Sequence, residues 1–149
     1  MREAKRLEFA VGVDERGTLF AEGRSELHLS PAWTPEHLLL AGLVRCTLAG
    51  LRYHAKQAGL GLDGRGTASG AVTRRSTDGR FAFVEVHAAL DVTLTPHLGE
   101  PALKELLRNA ERDCFVGASL ATPPSYAWRV NGHDVETVAP GEMLARGHR

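Results

Sequence analysis

The feature that most constrains this fold is an apolar run, Leu38 to Val44, inside a segment with strong helix signals. Just before the run, Thr34 suits an N-cap, Pro35 suits the first helical position and Glu36 places a negative charge in the first turn. A helix is therefore predicted over about residues 35–58. Because its first half is apolar on every side, we expect this helix to lie buried at the centre of the fold.

The second half of this helix has a different character. Polar side chains enter from Arg45 onward, so the helix becomes amphipathic, and Gly59 is a suitable terminator. Cys46 is therefore expected in the middle of the helix, where the apolar half meets the polar half.

Short segments of alternating polarity precede the helix and predict an antiparallel meander. We place its strands at residues 7–11, 18–20 and 26–29, with a turn at residues 14–17. After the helix, strands are predicted over about residues 67–75 and 81–94, joined by an Asp78-Gly79 hairpin turn.

The last third of the chain adds one more helix and one more strand. Apolar residues at helical spacing predict a helix over residues 101–113, and Cys114 follows at or just beyond its end. A final strand is expected over residues 125–131, and the polar tail 139–149 is expected to fray. The whole pattern indicates a single α+β domain with antiparallel sheets over residues 1–149.

Composition excludes several functional classes. Lys plus Arg and Asp plus Glu each count 18, which gives zero formal charge, and no long basic run exists, so nucleic acid is not an expected partner. No apolar segment follows Met1–Arg6 as in a signal peptide, and the run Leu38 to Val44 is too short to cross a bilayer. We therefore expect a soluble, cytoplasmic protein that binds no membrane.

Two cysteines are too few for a disulfide scaffold, and neither belongs to a CxxC pair, which argues against a zinc or thioredoxin-type site. Composition leaves two interpretations open: two unrelated buried thiols, or a redox pair formed by Cys46 and Cys114. Neither a cofactor nor a metal is expected, because no metal-ligand spacing relates the histidines, which are His28, His37, His54, His87, His97, His133 and His148.

The order of these elements, and the residues around both cysteines, resemble the osmotically inducible protein C superfamily, which includes the organic hydroperoxide resistance proteins. The segment Thr34–Gly42 followed by Cys46 is similar to that family's Asn-Pro-Glu-x-Leu opening, whose cysteine comes ten positions after the glutamate. The segment Asp113–Leu120, with Cys114 near its start, is similar to the second-cysteine motif. The likeness extends from about Leu7 to Val130.

This resemblance implies a role for each site residue. Cys46 would be the peroxidatic thiol, Cys114 the resolving thiol and Glu36 the active-site acid. The family's active-site arginine lies in an N-terminal turn, where Arg16 is the best match and Arg24 the weaker alternative. The resemblance further implies an intertwined homodimer with sites at the subunit interface, and regeneration by an external, lipoyl-type dithiol.

The sequence departs from the family pattern at four positions. Thr34 stands where asparagine is usual, Arg45 replaces a small residue, Thr47 replaces a bulky aromatic residue, and Phe115 replaces the usual proline. Because residues flanking Cys46 would line its pocket, these departures bear on which peroxide is preferred and not on the fold.

The implied chemistry suits these residue types. A peroxide is cleaved by a thiolate, so a neighbouring arginine that stays charged can stabilise the anion, and a glutamate can orient the guanidinium. The product is a sulfenic acid, which a second thiol converts to a disulfide before overoxidation. The expected function is therefore reduction of small organic hydroperoxides.

Two other functions remain as alternatives. A non-catalytic module on the same fold would bind a small apolar ligand in the dimer cleft. A metal site built from Cys46, Cys114 and a histidine ranks below both.

The expectation of a dimer also rests partly on helix geometry, through the spacing of Glu36 and Cys46. Ten residues of helix place them about 15 Å apart along the axis, which no carboxylate side chain bridges. If Glu36 serves Cys46, either the helix is broken or a partner chain supplies the glutamate. The all-round apolar run Leu38 to Val44 favours the partner, which could cover the rest of the helix.

Overall fold

The structure is a computed structural model that describes residues 4–23 and 25–138. The chain divides into two units at the boundary between His37 and Leu38.

The N-terminal unit contains an antiparallel meander of three short strands, β1 (Val11–Val13), β2 (Leu19–Ala21) and β3 (Glu26–Leu27), in the order β1-β2-β3. The predicted meander is present, but the first strand was misplaced: residues 7–10 are not in a strand, and β1 begins at Val11. The turn at residues 14–17 forms as predicted, because the Asp14 side chain accepts from the backbone N–H of Arg16 and of Thr18, each at 2.9 Å.

Helix α1 (Pro35–Gln57) forms almost where the sequence predicts it. Its start is capped reciprocally: the Thr34 hydroxyl accepts from the His37 N–H at 3.4 Å, and the Thr34 N–H donates to His37 Nδ1 at 3.1 Å. Gly59, in the left-handed region with φ 74°, ends the helix.

Only one face of α1 is fully buried within the chain. The buried residues recur every four positions, at Leu43, Thr47, Leu51 and Ala55. Residues 38–42 are half-exposed, so the all-round burial expected of the apolar run is not reached in a single chain.

The second unit is built on a four-stranded sheet in the order β4-β5-β6-β7. Its strands are β4 (Gly61–Arg74), β5 (Phe81–Thr95), β6 (Ser125–Val130) and β7 (His133–Val135). Strand β4 begins six residues earlier than predicted, and β7 was not predicted. The β4–β5 hairpin and the β6–β7 pair are antiparallel, whereas β5 and β6 run parallel, so this sheet is mixed.

The parallel pairing of β5 and β6 requires a crossover connection, which two helices supply. Helix α2 (Glu100–Arg112) corresponds to the predicted helix, and α3 (Phe115–Ser119) forms in the segment predicted only as apolar. Cys114 is the N-cap residue of α3 and therefore lies at the corner between the two helices.

The core joins the buried stripe of α1 to the inner face of β5 and to α2. The alternation predicted for β5 is present, since every second side chain from Val86 to Leu94 is buried. The buried apolar residues are Leu43, Leu51, Ala55, Val86, Ala88, Leu90, Val92, Leu94, Leu106, Leu107, Ala110, Cys114, Trp128 and Val130. Cys114 is thus a member of the core.

Gly66 sits where strand β4 comes close to β5 and α1. A Cβ at this position would lie 2.6 Å from Leu90 Cδ1, 2.9 Å from the Ala89 carbonyl oxygen and 3.1 Å from Val44 Cγ1. There is consequently no room for a side chain.

We predict that Gly66→Ala destabilises the fold by about 1–3 kcal/mol, the usual cost of forcing an extra methyl group into a packed core. Denaturant unfolding measures the change. The matched control is Gly12→Ala in β1, where an added Cβ meets nothing within 4 Å. Equal stability of the two variants would contradict the packing described for β4.

Candidate functional site

The two cysteines meet where α1 passes the corner between α2 and α3. Cys46 is half-buried and Cys114 is completely buried, and both are free thiols. The Cys114 thiol and the backbone N–H groups of Phe115 and Val116 lie close enough to the Cys46 thiol to act on its pKa. The structure therefore brings together the two residues that the sequence singled out as a redox pair.

Several groups approach the Cys114 sulfur. The Gly117 N–H donates to it at 3.4 Å, and the Thr47 hydroxyl oxygen lies 3.4 Å from it. The Leu43 carbonyl oxygen is 3.9 Å away and can accept from the thiol. Cys114 is thus fixed by contacts with α1 on one side and with α3 on the other.

The surroundings of Cys46 oppose its ionisation. Burial raises the pKa of the Cys46 thiol, and Cys114 raises it further, whereas the N–H groups of Val116 and Phe115 act in the opposite direction. Among the described residues, none of the groups that act on this pKa is a cation. A cation brought close to Cys46 would favour its thiolate and lower this pKa.

Tyr126 on β6 is a member of this site that the sequence analysis missed. Its hydroxyl is buried, and Cys114 and Thr47 are close enough to act on its pKa, which burial raises first of all. The sequence showed Tyr126 only as part of an alternating strand. No spacing could have found it, because it reaches Cys114 only through the parallel return of β6.

A polar pair anchors the end of α2 to α1 immediately before Cys114. His54 Nε2 lies 2.8 Å from a carboxylate oxygen of Asp113. The Arg112 guanidinium donates to the same carboxylate at 2.8 and 3.1 Å. His54, one of the histidines without metal-ligand spacing, thus helps to hold the corner that carries Cys114.

The remaining predicted site residues belong to the N-terminal unit. Arg16 is exposed in the β1–β2 turn. Glu36 is exposed in the first turn of α1, where its own backbone N–H and then the Thr34 hydroxyl lower the pKa of its carboxyl. Arg24 and the tail 139–149 lie outside the described residues.

Helix α1 is unbroken from Pro35 to Gln57, which bears on how Glu36 could serve Cys46. Because Glu36 and Cys46 are ten positions apart on this continuous helix, they are separated by about 15 Å along its axis. Of the two explanations considered for a shared site, a break in the helix is therefore excluded.

Within residues 4–23 and 25–138, no group of three or more His, Cys, Asp or Glu side chains could hold a metal ion. In the same part of the chain, no helix is both long and apolar enough to cross a membrane.

Residues 26–129 match the family described as OsmC-like protein. The match covers more than half of the chain and includes both cysteines and Glu36. The chain therefore belongs to the OsmC-like family. No curated protein matches it significantly.

Solved structures show the same fold at low sequence identity. An OsmC-like protein of unknown function from Vibrio cholerae superposes with a TM-score of 0.69 at 16% identity, covering 83% of this chain and 99% of the other. An OsmC-like protein from Mycoplasma pneumoniae gives 0.61 at 16% identity, with 87% and 98% covered. An organic hydroperoxide resistance protein from Elizabethkingia anophelis gives 0.57 at 16% identity, with 89% and 100% covered.

The Asp113 carboxylate makes the fold sensitive to acid. Its pKa is held at about 2 against an ordinary value of 3.8, because Arg112 and then His54 stabilise its charged form. A carboxyl with a lowered folded-state pKa stabilises the fold above its unfolded-state value, and this stabilisation is lost as the pH falls through the folded-state value.

We therefore expect the melting temperature to fall more steeply between about pH 4 and pH 2 in the wild type than in Asp113→Asn, as followed by circular dichroism. The exposed carboxylate variant Asp63→Asn serves as control and should keep the wild-type slope. Parallel curves for the wild type and Asp113→Asn would show that the Asp113 contacts contribute nothing to stability.

Proposed function

We propose that this protein is a thiol-dependent peroxidase that reduces small organic hydroperoxides with Cys46 and Cys114. The observation that carries the proposal is the proximity of the two thiols at the corner between α2 and α3, in a chain of the OsmC-like family. An organic hydroperoxide resistance protein among the structures of similar fold supports this choice of substrate class.

In the first step the Cys46 thiolate attacks one oxygen of the hydroperoxide. A sulfur–oxygen bond forms, the oxygen–oxygen bond breaks, and the alkoxide leaves as the alcohol after taking up a proton. Cys46 becomes a sulfenic acid. The half-exposed position of Cys46 suits this role, because the peroxide must reach the sulfur from outside.

In the second step Cys114 attacks the sulfenic acid sulfur. A disulfide bond forms, the sulfur–oxygen bond breaks, and hydroxide leaves as water with the proton that Cys114 released. Complete burial of Cys114 beside Cys46 suits a resolving thiol. The peroxide cannot reach the buried Cys114 sulfur, whereas the oxidised Cys46 is close to it. An external dithiol, of lipoyl type by family resemblance, then reduces the disulfide by thiol exchange.

Arg16 is the proposed cation for the Cys46 thiolate, with Glu36 orienting its guanidinium. A cation would offset the burial that raises the pKa of Cys46. Because α1 is unbroken, Glu36 would reach a Cys46 site from the partner chain of a homodimer. A partner would also cover the half-exposed apolar residues 38–42.

We place the enzyme in the cytoplasm, where the reducing environment keeps two free thiols reduced between turnovers. The alternative is a non-catalytic OsmC-like module that binds a small apolar ligand at the dimer cleft. The cysteine variants below separate the two functions, since a binding module would not consume hydroperoxide.

The two cysteines should have unequal effects on turnover. Cys46→Ser is expected to abolish hydroperoxide reduction, because the attacking sulfur is gone. Cys114→Ser should complete one turnover and then stall or overoxidise, because the sulfenic acid finds no second thiol. Peroxide consumption with a dithiol reductant measures both. Repeated turnover of Cys114→Ser at the wild-type rate would show that Cys114 is not the resolving thiol.

Mixing variant subunits tests whether the site needs both chains. Glu36→Ala and Cys46→Ser homodimers should each be inactive or strongly impaired. After exchange of subunits, partial activity is expected to return, because one of the two sites in each mixed dimer is then intact. A chain that light scattering shows to be monomeric at micromolar concentration, yet fully active, would contradict the shared site.

A further inference from the structure

The Tyr126 hydroxyl is the one buried side-chain polar group, within the residues that the structure describes, without a hydrogen-bond partner. Burying a hydroxyl unpaired destabilises a fold. This hydroxyl lies beside a thiol that changes its charge and bonding during a redox cycle. Its position therefore points to a hydrogen bond that forms in another state of the site.

The space around Gly117 shows how close this hydroxyl comes to the Cys114 sulfur. A Cβ at Gly117 would lie 2.8 Å from the Tyr126 hydroxyl oxygen and 3.5 Å from Cys114 Sγ. Any side chain at position 117 would therefore collide with the hydroxyl and touch the sulfur. The glycine leaves this space free, so nothing at position 117 hinders an approach of the hydroxyl to the sulfur.

Of the two hydroxyl groups close to Cys114, those of Thr47 and Tyr126, only that of Tyr126 donates its proton to no other acceptor among the described residues. The Thr47 hydroxyl lies 3.4 Å from the sulfur, but it has a single proton, which it donates to the Leu43 carbonyl oxygen at 2.8 Å. Tyr126 also stays protonated, because burial and then the charge of an ionised Cys114 raise the pKa of its hydroxyl. A neutral phenol can donate a hydrogen bond, and an ionised sulfur is a strong hydrogen-bond acceptor.

We propose that Tyr126 is a positioning residue for Cys114. Its hydroxyl donates a hydrogen bond to the ionised Cys114 sulfur and holds that sulfur in place to attack Cys46. The redox step of this inference rests on the proposed function. In that step the disulfide bond forms, the sulfur–oxygen bond of the Cys46 sulfenic acid breaks, and hydroxide leaves as water with the proton that Cys114 released.

The test is Tyr126→Phe followed through a single turnover with an organic hydroperoxide. Formation of the Cys46 sulfenic acid should keep the wild-type rate. Formation of the disulfide should be about tenfold slower, as expected when a hydrogen bond to a charged acceptor is lost. The melting temperature of the reduced variant should equal or exceed that of the wild type, because an unpaired buried hydroxyl has been removed.

Tyr53→Phe is the matched control. Tyr53 lies on α1 with 62% of its surface exposed. Removing its hydroxyl should change neither rate nor melting temperature.

A second assay needs no peroxidase activity. Cys46 is converted to a mixed disulfide with dithiobis(nitrobenzoic acid), and Cys114 then attacks Cys46 and expels coloured thionitrobenzoate as the protein disulfide forms. We expect this release to be about tenfold slower in Tyr126→Phe than in the wild type, for the same lost hydrogen bond.

The two assays separate the inference from the proposed function. If the wild type does not reduce hydroperoxides, but Tyr126→Phe releases thionitrobenzoate more slowly than the wild type, the proposed peroxidase activity is wrong and the role of Tyr126 is supported. A wild-type rate of release in Tyr126→Phe overturns the inference, as does a wild type that releases none. Equal slowing of both peroxide steps together with a lower melting temperature would mark Tyr126 as structural and would also overturn it.

Discussion

Burial of one face of α1 is the constraint on which the site depends. The stripe that runs from Leu43 to Ala55 packs into the same core as β5 and α2, and Cys114 belongs to that core. Because Cys46 lies one position before the buried Thr47, it is carried to the edge of the core, half-exposed and next to Cys114. Packing alone therefore brings a reachable thiol beside an unreachable one, which is the asymmetry that a two-cysteine peroxidase requires.

The same burial disfavours the charged form of Cys46. A half-buried thiol resists ionisation, and in the part of the chain that the structure describes the groups that raise or lower the pKa of Cys46 include no cation. Helix α1 also keeps Glu36 and Cys46 ten residues apart without a break. Under the proposed function, Arg16 is the cation, and a partner chain supplies Glu36 and covers the half-exposed residues 38–42.

Much of this could be read from the sequence, because local signals were strong. Thr34, Pro35 and Gly59 fixed the ends of α1, and the Asp78-Gly79 turn fixed the long hairpin. Strand β7 is only three residues long, but the Asn131-Gly132 turn that joins it to β6, with both residues at positive φ, is a hairpin signal that could have predicted it. The place of Tyr126 has no such local signal, because it depends on the long-range parallel pairing of β6 with β5.

Under the proposed function, Cys46 and Cys114 form a disulfide when the protein reacts with an organic hydroperoxide. The direct measurement is a titration of free thiols before and after one equivalent of tert-butyl or cumene hydroperoxide, with the linked peptides identified by mass spectrometry. We expect loss of both thiols and a peptide that joins Cys46 to Cys114. Two free thiols and unconsumed peroxide would contradict the proposed peroxidase and leave an inert thiol pair in a binding module.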